Sequence, residues 1–261
     1  MNYGFIGCGN MGGAIARALS KTTTDIALTD RSGKAKSVAD ELGCHYCDTK
    51  TIVSQCDRIF LAVKPQMMED VLLPVQPLLK ERKPLIITMA AGLTIDKIQN
   101  FCDTTLPVIR IMPNTPISVG KGMIPYCCND LVSQEMLESV ISDLQYAGKM
   151  DCLEENLMDV ATALSGSGPA YMYLLLEALT DGAVACGLPK EKALEYATIT
   201  MAGAAEMVEK SSVDPVALRI AVCSPGGSTL EGIKALEQHG FRDAVKSCIS
   251  AAYQKNIELG K

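Results

Sequence analysis

Histidine is scarce in this sequence, which has only His45 and His239 among its 261 residues. Neither histidine stands in a glycine-rich or proline-rich motif. A reaction that depends on a histidine general base therefore lacks a candidate. The composition suits a reaction in which a bound cofactor carries the chemistry, because the protein then mainly binds and orients the reactants.

Basic clusters and long apolar runs are also missing. The formal net charge is −6, and no basic stretch offsets it, which argues against a nucleic acid as partner. The most apolar later stretch, residues 170–188, contains Glu177 and Asp181, so it does not predict a membrane-spanning helix. Neither a basic residue nor a long apolar run precedes Arg17, so no signal peptide is predicted, and we expect a cytoplasmic protein without a membrane partner.

Cysteine, by contrast, is abundant, with eleven residues. In a reducing compartment cysteine behaves as a small apolar side chain, and most of these have apolar neighbours, so we predict free, buried thiols. Cys44 and Cys47 have the spacing of a redox or metal pair, and Cys127 and Cys128 could supply two further ligands. Because a zinc site needs four convergent ligands, we interpret residues 44–47 as a short buried strand and predict no metal site.

Strand and helix signals alternate through roughly the first 150 residues, a pattern typical of a parallel sheet covered by helices on both faces. From Asp151 onward the strand signal disappears, and apolar residues recur at helical spacing. We therefore predict an α/β domain at residues 1–152 and an all-helical domain at residues 153–261. The predicted strands are residues 3–6, 25–29, 58–63, 84–89, 108–112 and 122–127. The predicted helices of the second domain include residues 170–186, 189–210, one that opens at Asp214-Pro215, and 242–258.

The predicted helix at residues 170–186 has few polar side chains, namely Glu177, Thr180, Asp181 and two tyrosines. A helix that is apolar nearly all round has to be buried on every side, and a helical domain of about 110 residues is too small to surround it. A second subunit would supply the missing cover, so we predict a homo-oligomer with this helix in the interface.

Residues 7–12, Gly-Cys-Gly-Asn-Met-Gly, follow the first predicted strand and precede a helical pattern, the context that a dinucleotide-binding motif requires. Gly7 would permit a tight turn, Gly9 a close approach of the backbone to a pyrophosphate, and Gly12 close packing of the helix. The amides at the helix N-terminus would face the phosphates. A glycine-rich turn without a ligand is the alternative, but the second predicted strand ends about 20 residues on, as a dinucleotide site requires. The predicted cofactor contacts in this motif are Gly7, Gly9, Asn10, Met11 and Gly12.

The cofactor is predicted to be NADPH or NADH. Among the residues after the second strand, some favour NADH and others favour NADPH. An acidic residue such as Asp30 usually holds the ribose 2′-hydroxyl of NADH and repels the 2′-phosphate of NADPH. Arg31, Ser32 and Lys34 follow closely and offer the basic and hydroxyl groups that a 2′-phosphate requires, unless Arg31 is an ordinary solvated charge. We predict cofactor contacts by Asp30 and Arg31, with NADPH slightly favoured.

Two proline-containing loops follow later predicted strands, at residues 62–66 (Ala-Val-Lys-Pro-Gln) and 112–116 (Met-Pro-Asn-Thr-Pro). Ligands of open α/β sheets lie beyond the carboxyl ends of the strands, so both loops are expected to face the cofactor cleft. Prolines on both sides of Asn114 and Thr115 restrict the second loop to one shape. The alternative is that either loop is only a rigid turn.

Residues 224–231, Ser-Pro-Gly-Gly-Ser-Thr-Leu-Glu, form a second candidate site. Ser228 and Glu231 have capping-box spacing, so we predict that a helix begins at Ser228 with that residue as its cap. The two glycines before it would leave backbone amides exposed as a nest for a carboxylate, and the Thr229 hydroxyl would be free to reach a substrate. A capped helix after a flexible loop is the alternative.

Together these motifs resemble the pyrroline-5-carboxylate reductase family over essentially the whole chain. The resemblance implies a Rossmann-type domain followed by a helical domain that interlocks with a second subunit, as a dimer or as a decamer of dimers. It also implies reduction of 1-pyrroline-5-carboxylate to L-proline, the last step of proline biosynthesis, with NADPH or NADH. The blocks that carry it, in order, are residues 7–12, 62–65, 90–92 (Ala-Ala-Gly), 112–116, 166–171 (Gly-Ser-Gly-Pro-Ala-Tyr) and 224–229.

The resemblance further implies roles for single residues. Thr229 is expected to be the catalytic residue and to hydrogen-bond the ring nitrogen of the substrate. The expected contacts to the substrate carboxylate are Ser224, Gly226, Gly227 and Ser228. The expected cofactor contacts outside the glycine motif are Ala62, Val63, Lys64 and Pro65, with Pro113 and Asn114 beside the nicotinamide.

Some positions depart from the family pattern. Thr49 stands where many members carry an asparagine that meets the adenosine ribose, which leaves that contact open. Asp30 replaces the small polar residue of strict NADPH users, which leaves the cofactor preference open. Ile220 and Ala221 replace a more polar pair, and we expect only packing to differ there.

Two other functions are compatible with parts of the sequence. A 3-hydroxyacid dehydrogenase shares the two-domain plan, but that family places a catalytic lysine on the first helix of its second domain, and residues 153–159 contain no lysine. A redox-sensing regulator would keep the dinucleotide motif without turnover. Such a regulator would have no reason to keep the motif at residues 224–229.

Overall fold

The structure, a computed structural model, describes residues 1–260. The chain forms two compact units: Met1–Pro169 together with the segment from Ala251 onward, and Ala170–Ser250. The last strand ends at Cys152, whereas the first unit continues to Pro169. The domain boundary after residue 152 therefore stays a prediction.

An eight-stranded sheet forms the centre of the first unit. Its strands are β1 (Tyr3–Ile6), β2 (Ile26–Thr29), β3 (His45–Tyr46), β4 (Arg58–Leu61), β5 (Leu85–Thr88), β6 (Val108–Ile111), β7 (Gly122–Cys128) and β8 (Gly148–Cys152). They lie in the order β3-β2-β1-β4-β5-β6-β7-β8, and the strands from β3 to β6 are parallel, as predicted. Strand β7 runs antiparallel to β6, so the prediction of a parallel sheet is wrong at this edge. The connection between these two strands contains only a short 3-10 turn, Thr115–Val119, and no crossover helix, so the chain reverses direction.

The two edge strands depart most from the sequence-based prediction. Strand β8 was not predicted, because its residues are partly or fully exposed and show no apolar alternation. The predicted buried strand at residues 44–47 exists as β3, but His45 and Tyr46 are both exposed, so its predicted burial is wrong.

Helices cover both faces of the sheet. They are α1 (Asn10–Leu19), α2 (Lys34–Leu42), α3 (Thr49–Gln55), α4 (Met68–Leu72), α5 (Gln76–Arg82), α6 (Ile95–Cys102), α7 (Gln134–Asp143) and α8 (Met158–Ala161). Side chains alternate between two buried clusters along each central strand. In β4, Phe60 stacks on Phe5 with ring centroids 4.4 Å apart, whereas Ile59 and Leu61 belong to the cluster on the other face.

The remaining helices begin within two residues of their predicted positions, and the three whose ends were predicted also end within one residue of them. They are α9 (Gly168–Ala185), α10 (Lys190–Lys210), α11 (Pro215–Val222), α12 (Ser228–Gln238) and α13 (Phe241–Leu259). Asp214 caps α11 by accepting a hydrogen bond from the amide of Val216 at 2.8 Å. In α9, Tyr173 and Leu174 are 55% and 66% exposed in the single chain, an unusual amount of apolar surface for a helix without a partner.

All eleven cysteines are free, as predicted. Only four are buried, so the prediction of burial is wrong for the others; the buried ones are Cys8, Cys56, Cys102 and Cys127. Burial raises the pKa of the last three of these thiols to about 12, which keeps them neutral and unreactive. Among residues 1–260, no group of three or more His, Cys, Asp or Glu side chains is placed to hold a metal ion. None of the described helices combines the length and apolar character needed to cross a membrane.

Candidate active site

A cavity of about 700 Å³ opens at the carboxyl ends of β1, β2 and β4. Strand β1 lies between β2 and β4, so the order of the sheet reverses at this point. Ligands of open α/β sheets bind at such a reversal, because the loops diverge there and leave a crevice. The cavity is therefore placed where a dinucleotide would bind.

Many of the predicted cofactor residues line this cavity, and others do not. Those that line it are Gly7, Gly9, Asp30, Arg31, Ala62, Val63 and Lys64. Those outside the lining are Asn10, Met11, Gly12, Pro65, Pro113 and Asn114. Asn10, Met11 and Gly12 lie in α1, and Pro65 begins the 3-10 turn Pro65–Met67. Contact between these residues and a cofactor stays a prediction.

The three glycines of the motif have three different physical roles. Gly7 has a φ of +104°, and a Cβ there would lie 2.5 Å from the carbonyl oxygen of Ala62, so both the turn and the close approach require glycine. A Cβ on Gly12 would lie 2.6 Å from the carbonyl oxygen of Gly7, which keeps α1 close to β1. At Gly9 a Cβ would meet no protein atom within 4 Å and would project into open space beside the cavity.

The Gly9 geometry fits a bound dinucleotide. Its φ of −72° and ψ of −164° are accessible to any residue, so the protein itself does not require glycine at this position. Gly9 directly precedes α1, whose first amides have no side-chain cap. Space for a phosphate next to unpaired helical amides is the arrangement that binds anions.

The loop after β2 holds its acidic residue in internal hydrogen bonds. The two carboxylate oxygens of Asp30 accept from the amide of Gly33 at 2.9 Å and from the hydroxyl of Ser32 at 2.6 Å. Arg31 is exposed and lines the cavity. The guanidinium is therefore available to a ligand, whereas the carboxylate already stabilises its own loop.

An apolar wall of the cavity was not predicted from the sequence. It comes from the short helical segments that follow β4, and its members are Met67, Val71, Pro74 and Val75. Thr49 and Lys50 at the start of α3 also line the cavity. The only sequence signal for this wall is its position after a cavity-lining loop, because segments of three to five residues are too short to show a helical period.

The predicted carboxylate nest lies in the second unit as a tight turn before α12. The amide of Gly227 donates to the carbonyl of Ser224 at 3.0 Å, with Pro225 and Gly226 at the two central positions. Gly226 has a φ of +72°, as the third residue of a type II turn requires. A Cβ on Gly227 would lie 2.5 Å from the Ser224 hydroxyl oxygen. The turn thus needs glycine at position 226 for its own geometry, whereas a side chain at position 227 would require the Ser224 hydroxyl to rotate away.

The predicted capping box at Ser228 is wrong, although α12 does begin there. Gly227 is the N-cap, no side chain caps the helix, and Glu231 pairs with Lys234 at 2.7 Å instead. Ser228 is already helical, so its hydroxyl does not occupy the capping position. Ser228 and Thr229 are the first two residues of the helix, where backbone amides lack intrahelical partners. Binding of a substrate by residues 224–229 stays a prediction.

Comparisons with known proteins identify the family. Residues 155–259 match a family model described as pyrroline-5-carboxylate reductase dimerisation, and residues 2–92 match one described as NADP oxidoreductase, coenzyme F420-dependent. The chain is 36% identical to pyrroline-5-carboxylate reductase of Aquifex aeolicus, over 99% of this chain and 97% of that protein. It is 35% identical to the Escherichia coli enzyme of the same name, over 99% and 98% of the two chains. The crystal structure of Plasmodium falciparum pyrroline carboxylate reductase with NADP bound superposes with a TM-score of 0.91 at 32% identity, covering 100% of this chain and 98% of that one. The chain therefore belongs to the pyrroline-5-carboxylate reductase family.

Proposed function

We propose that this chain catalyses the reduction of 1-pyrroline-5-carboxylate to L-proline with NADPH or NADH. The observation that carries the proposal is the cavity at the ends of β1, β2 and β4, where Gly9 leaves space for a pyrophosphate. Similarity along the full length of the chain to proteins named pyrroline-5-carboxylate reductase supplies the choice of substrate. When bound, the reduced cofactor supplies a hydride to the imine carbon, and the proton of the protonated imine nitrogen remains on the product amine.

The protein's own residues bind and orient the reactants in this proposal. The loop after β1 holds the cofactor phosphates on backbone amides, and Lys64 adds a positive charge to the same cavity. Residues 224–228 hold the substrate carboxylate with their hydroxyls and with the backbone amides that the turn leaves unpaired, and the Thr229 hydroxyl hydrogen-bonds the ring nitrogen. A protonated imine is already electrophilic, so a histidine base is not required. This agrees with the scarcity of histidine in the chain.

A turnover assay tests the proposal directly. Purified protein is mixed with NADPH or NADH, and loss of the reduced nicotinamide is followed with and without pyrroline-5-carboxylate. We expect oxidation only when the imine is present, with L-proline as the product. A 3-hydroxyacid with the oxidised cofactors serves as the control substrate, and turnover of that substrate alone would favour the dehydrogenase. Cofactor binding without any turnover would favour the redox regulator.

Arg31 is predicted to give the chain a preference for NADPH over NADH. Asp30 accepts two hydrogen bonds within its own loop, so Arg31 is free to pair with a 2′-phosphate. Arg31→Ala should raise KM for NADPH roughly tenfold to a hundredfold, the range for loss of one charged hydrogen bond, and leave KM for NADH unchanged. Lys36→Ala is the matched control, because Lys36 is exposed, pairs with Asp40 at 3.1 Å and does not line the cavity. Equal effects of Arg31→Ala on both cofactors would refute the assignment.

The protein is further proposed to be a homodimer through its helical part. The dimerisation family model and the exposed apolar residues of α9 support this. Leu174→Glu should convert the dimer to a monomer in sedimentation experiments, because a buried charge in an apolar interface is strongly unfavourable. Leu131→Glu makes the same change at a residue of the first unit that is 49% exposed, and should leave the sedimentation coefficient unchanged. If the Leu174→Glu variant remains a dimer, the interface lies elsewhere. A wild-type particle larger than a dimer would support the decamer of dimers.

A further inference from the structure

The side chain of Asn114 joins two backbone segments of the first unit. Its Nδ2 donates to the carbonyl oxygen of Ser165 at 2.9 Å, and its Oδ1 accepts from the amide of Met123 at 2.9 Å. Asn114 is only 8% exposed and is absent from the lining of the cofactor cavity. The oxygen and one N–H of the amide are therefore committed to the protein itself.

The Ser165 carbonyl needs the Asn114 donor because Pro169 cannot supply the usual helical hydrogen bond. In α-helical register it would accept from the amide of residue 169, and Pro169 has no N–H group. The chain is π-helical over Thr162–Gly166, and the amide of Ser167 donates to the carbonyl of Thr162, five residues back, at 2.9 Å. Asn114 thus supplies the hydrogen bond that the proline removes.

A second polar contact holds the start of the same segment. Arg110 in β6 is 2% exposed, and its guanidinium nitrogens lie 3.1 Å from a carboxylate oxygen of Glu155 and 3.3 Å from one of Asp159. Asn114 follows four residues later, in the loop beyond the end of β6. Strand β6 and its loop therefore hold residues 155–165 at both ends, and the π-helical turn has a fixed position on the sheet.

We propose that Asn114 is a positioning residue of the reductase, which acts through the Ser165 carbonyl and not through contact with the cofactor. This inference rests on the proposed function. The loop of Asn114 lies at the carboxyl edge of the sheet, where ligands of such folds bind, and π-helical turns often occur at functional sites. Hydride transfer depends on the distance and angle between the reacting atoms, so a small shift of this turn lowers turnover more than binding.

The test is a double-mutant cycle with Pro169. Asn114→Ala should lower kcat by at least about tenfold and change KM for the cofactor by no more than about twofold. Pro169→Ala restores an N–H group that can serve the Ser165 carbonyl, so in that background Asn114→Ala should lower kcat only about threefold. The midpoint of thermal unfolding should show the same coupling, which measures the contact independently of turnover.

Asn129→Ala is the matched control. Asn129 also joins two backbone groups, accepting from the amide of Val108 at 3.1 Å and donating to the carbonyl of Leu106 at 2.8 Å, but it lies at the other end of β6. It should lower the unfolding temperature and leave kcat within about twofold of the wild type. If Asn114→Ala and Asn129→Ala lose kcat equally, Asn114 has only a structural role. If Asn114→Ala instead raises KM for the cofactor and leaves kcat unchanged, Asn114 contacts the cofactor directly.

Two further results separate this inference from the proposed function. If Asn114→Ala does not fold, Asn114→Asp replaces it, because aspartate keeps the size and the acceptor for Met123 but lacks the donor for Ser165. Wild-type protein without pyrroline-5-carboxylate turnover would overturn the proposed function, and the positioning role with it. Wild-type turnover combined with no coupling between Asn114 and Pro169 would overturn this inference alone.

Discussion

Gly9→Val is expected to weaken binding of NADPH and NADH by roughly a hundredfold or more, since crowding of a packed site and loss of phosphate hydrogen bonds each cost about 1–3 kcal/mol. The chain should nevertheless fold normally. Its backbone at Gly9 is extended, and a Cβ there meets no protein atom within 4 Å. The side chain would therefore compete with the ligand and not with the protein. Titration of the cofactor, followed by fluorescence or calorimetry, gives the affinity, and circular dichroism gives the fold.

Gly12→Ala provides the contrasting variant in the same motif. Its Cβ would lie 2.6 Å from the carbonyl oxygen of Gly7 and 2.9 Å from the Cβ of Ala62, so α1 would have to move away from the sheet. Its main effect should be a lower unfolding temperature. Wild-type cofactor affinity in Gly9→Val would show that no phosphate lies there. A Gly9→Val protein that fails to fold would show that the space beside this residue is not open.

The central strands and the glycine motif were predictable from the sequence because each depends on residues that are adjacent in the chain. Buried parallel strands are continuous apolar runs, as in β4 and β5, and a tight turn before a helix requires glycine at fixed spacing. Strand β8 has no such local pattern, because its residues are exposed and its pairing with β7 depends on the tertiary structure. Local pattern therefore predicts buried elements better than exposed edges.

The partners of single side chains were the least predictable feature of the site. The sequence marks Asn114 as a residue between two prolines, which fits a cofactor contact as well as a structural role. Its partner Ser165 lies 51 residues later, and no periodicity links the two positions. Similarly, the position of Asp30 after the second strand predicts a ribose ligand. Its hydrogen bonds to Ser32 and Gly33 depend on the conformation of the loop, which the sequence does not show. Such contacts follow from the fold and have no signal within a short window of sequence.

The Thr229 hydroxyl is expected to orient and polarise the imine, and its position in α12 is the basis for this hypothesis. Gly227 caps the helix, so Thr229 is its second residue and follows directly on amides that are free to hold a carboxylate. The carboxylate and the imine nitrogen of the substrate are only a few bonds apart. A short side chain beside those amides can therefore reach the nitrogen.

Thr229→Val should lower kcat roughly ten- to a thousandfold, the range typical of removing one positioned polar group from a reacting centre. A hydrogen bond to a nitrogen that changes charge acts mainly in the transition state, so turnover should fall more than substrate affinity. Cofactor affinity should stay constant, because the glycine motif belongs to the first unit. Thr229 is exposed, and no hydrogen bond of its hydroxyl occurs within residues 1–260, so the unfolding temperature should also stay constant. Thr229→Ser separates the hydroxyl from the shape of the side chain and should retain most of the turnover. If Thr229→Val reduces pyrroline-5-carboxylate as fast as the wild type, Thr229 is only a helix residue and the hydroxyl has no part in the reaction.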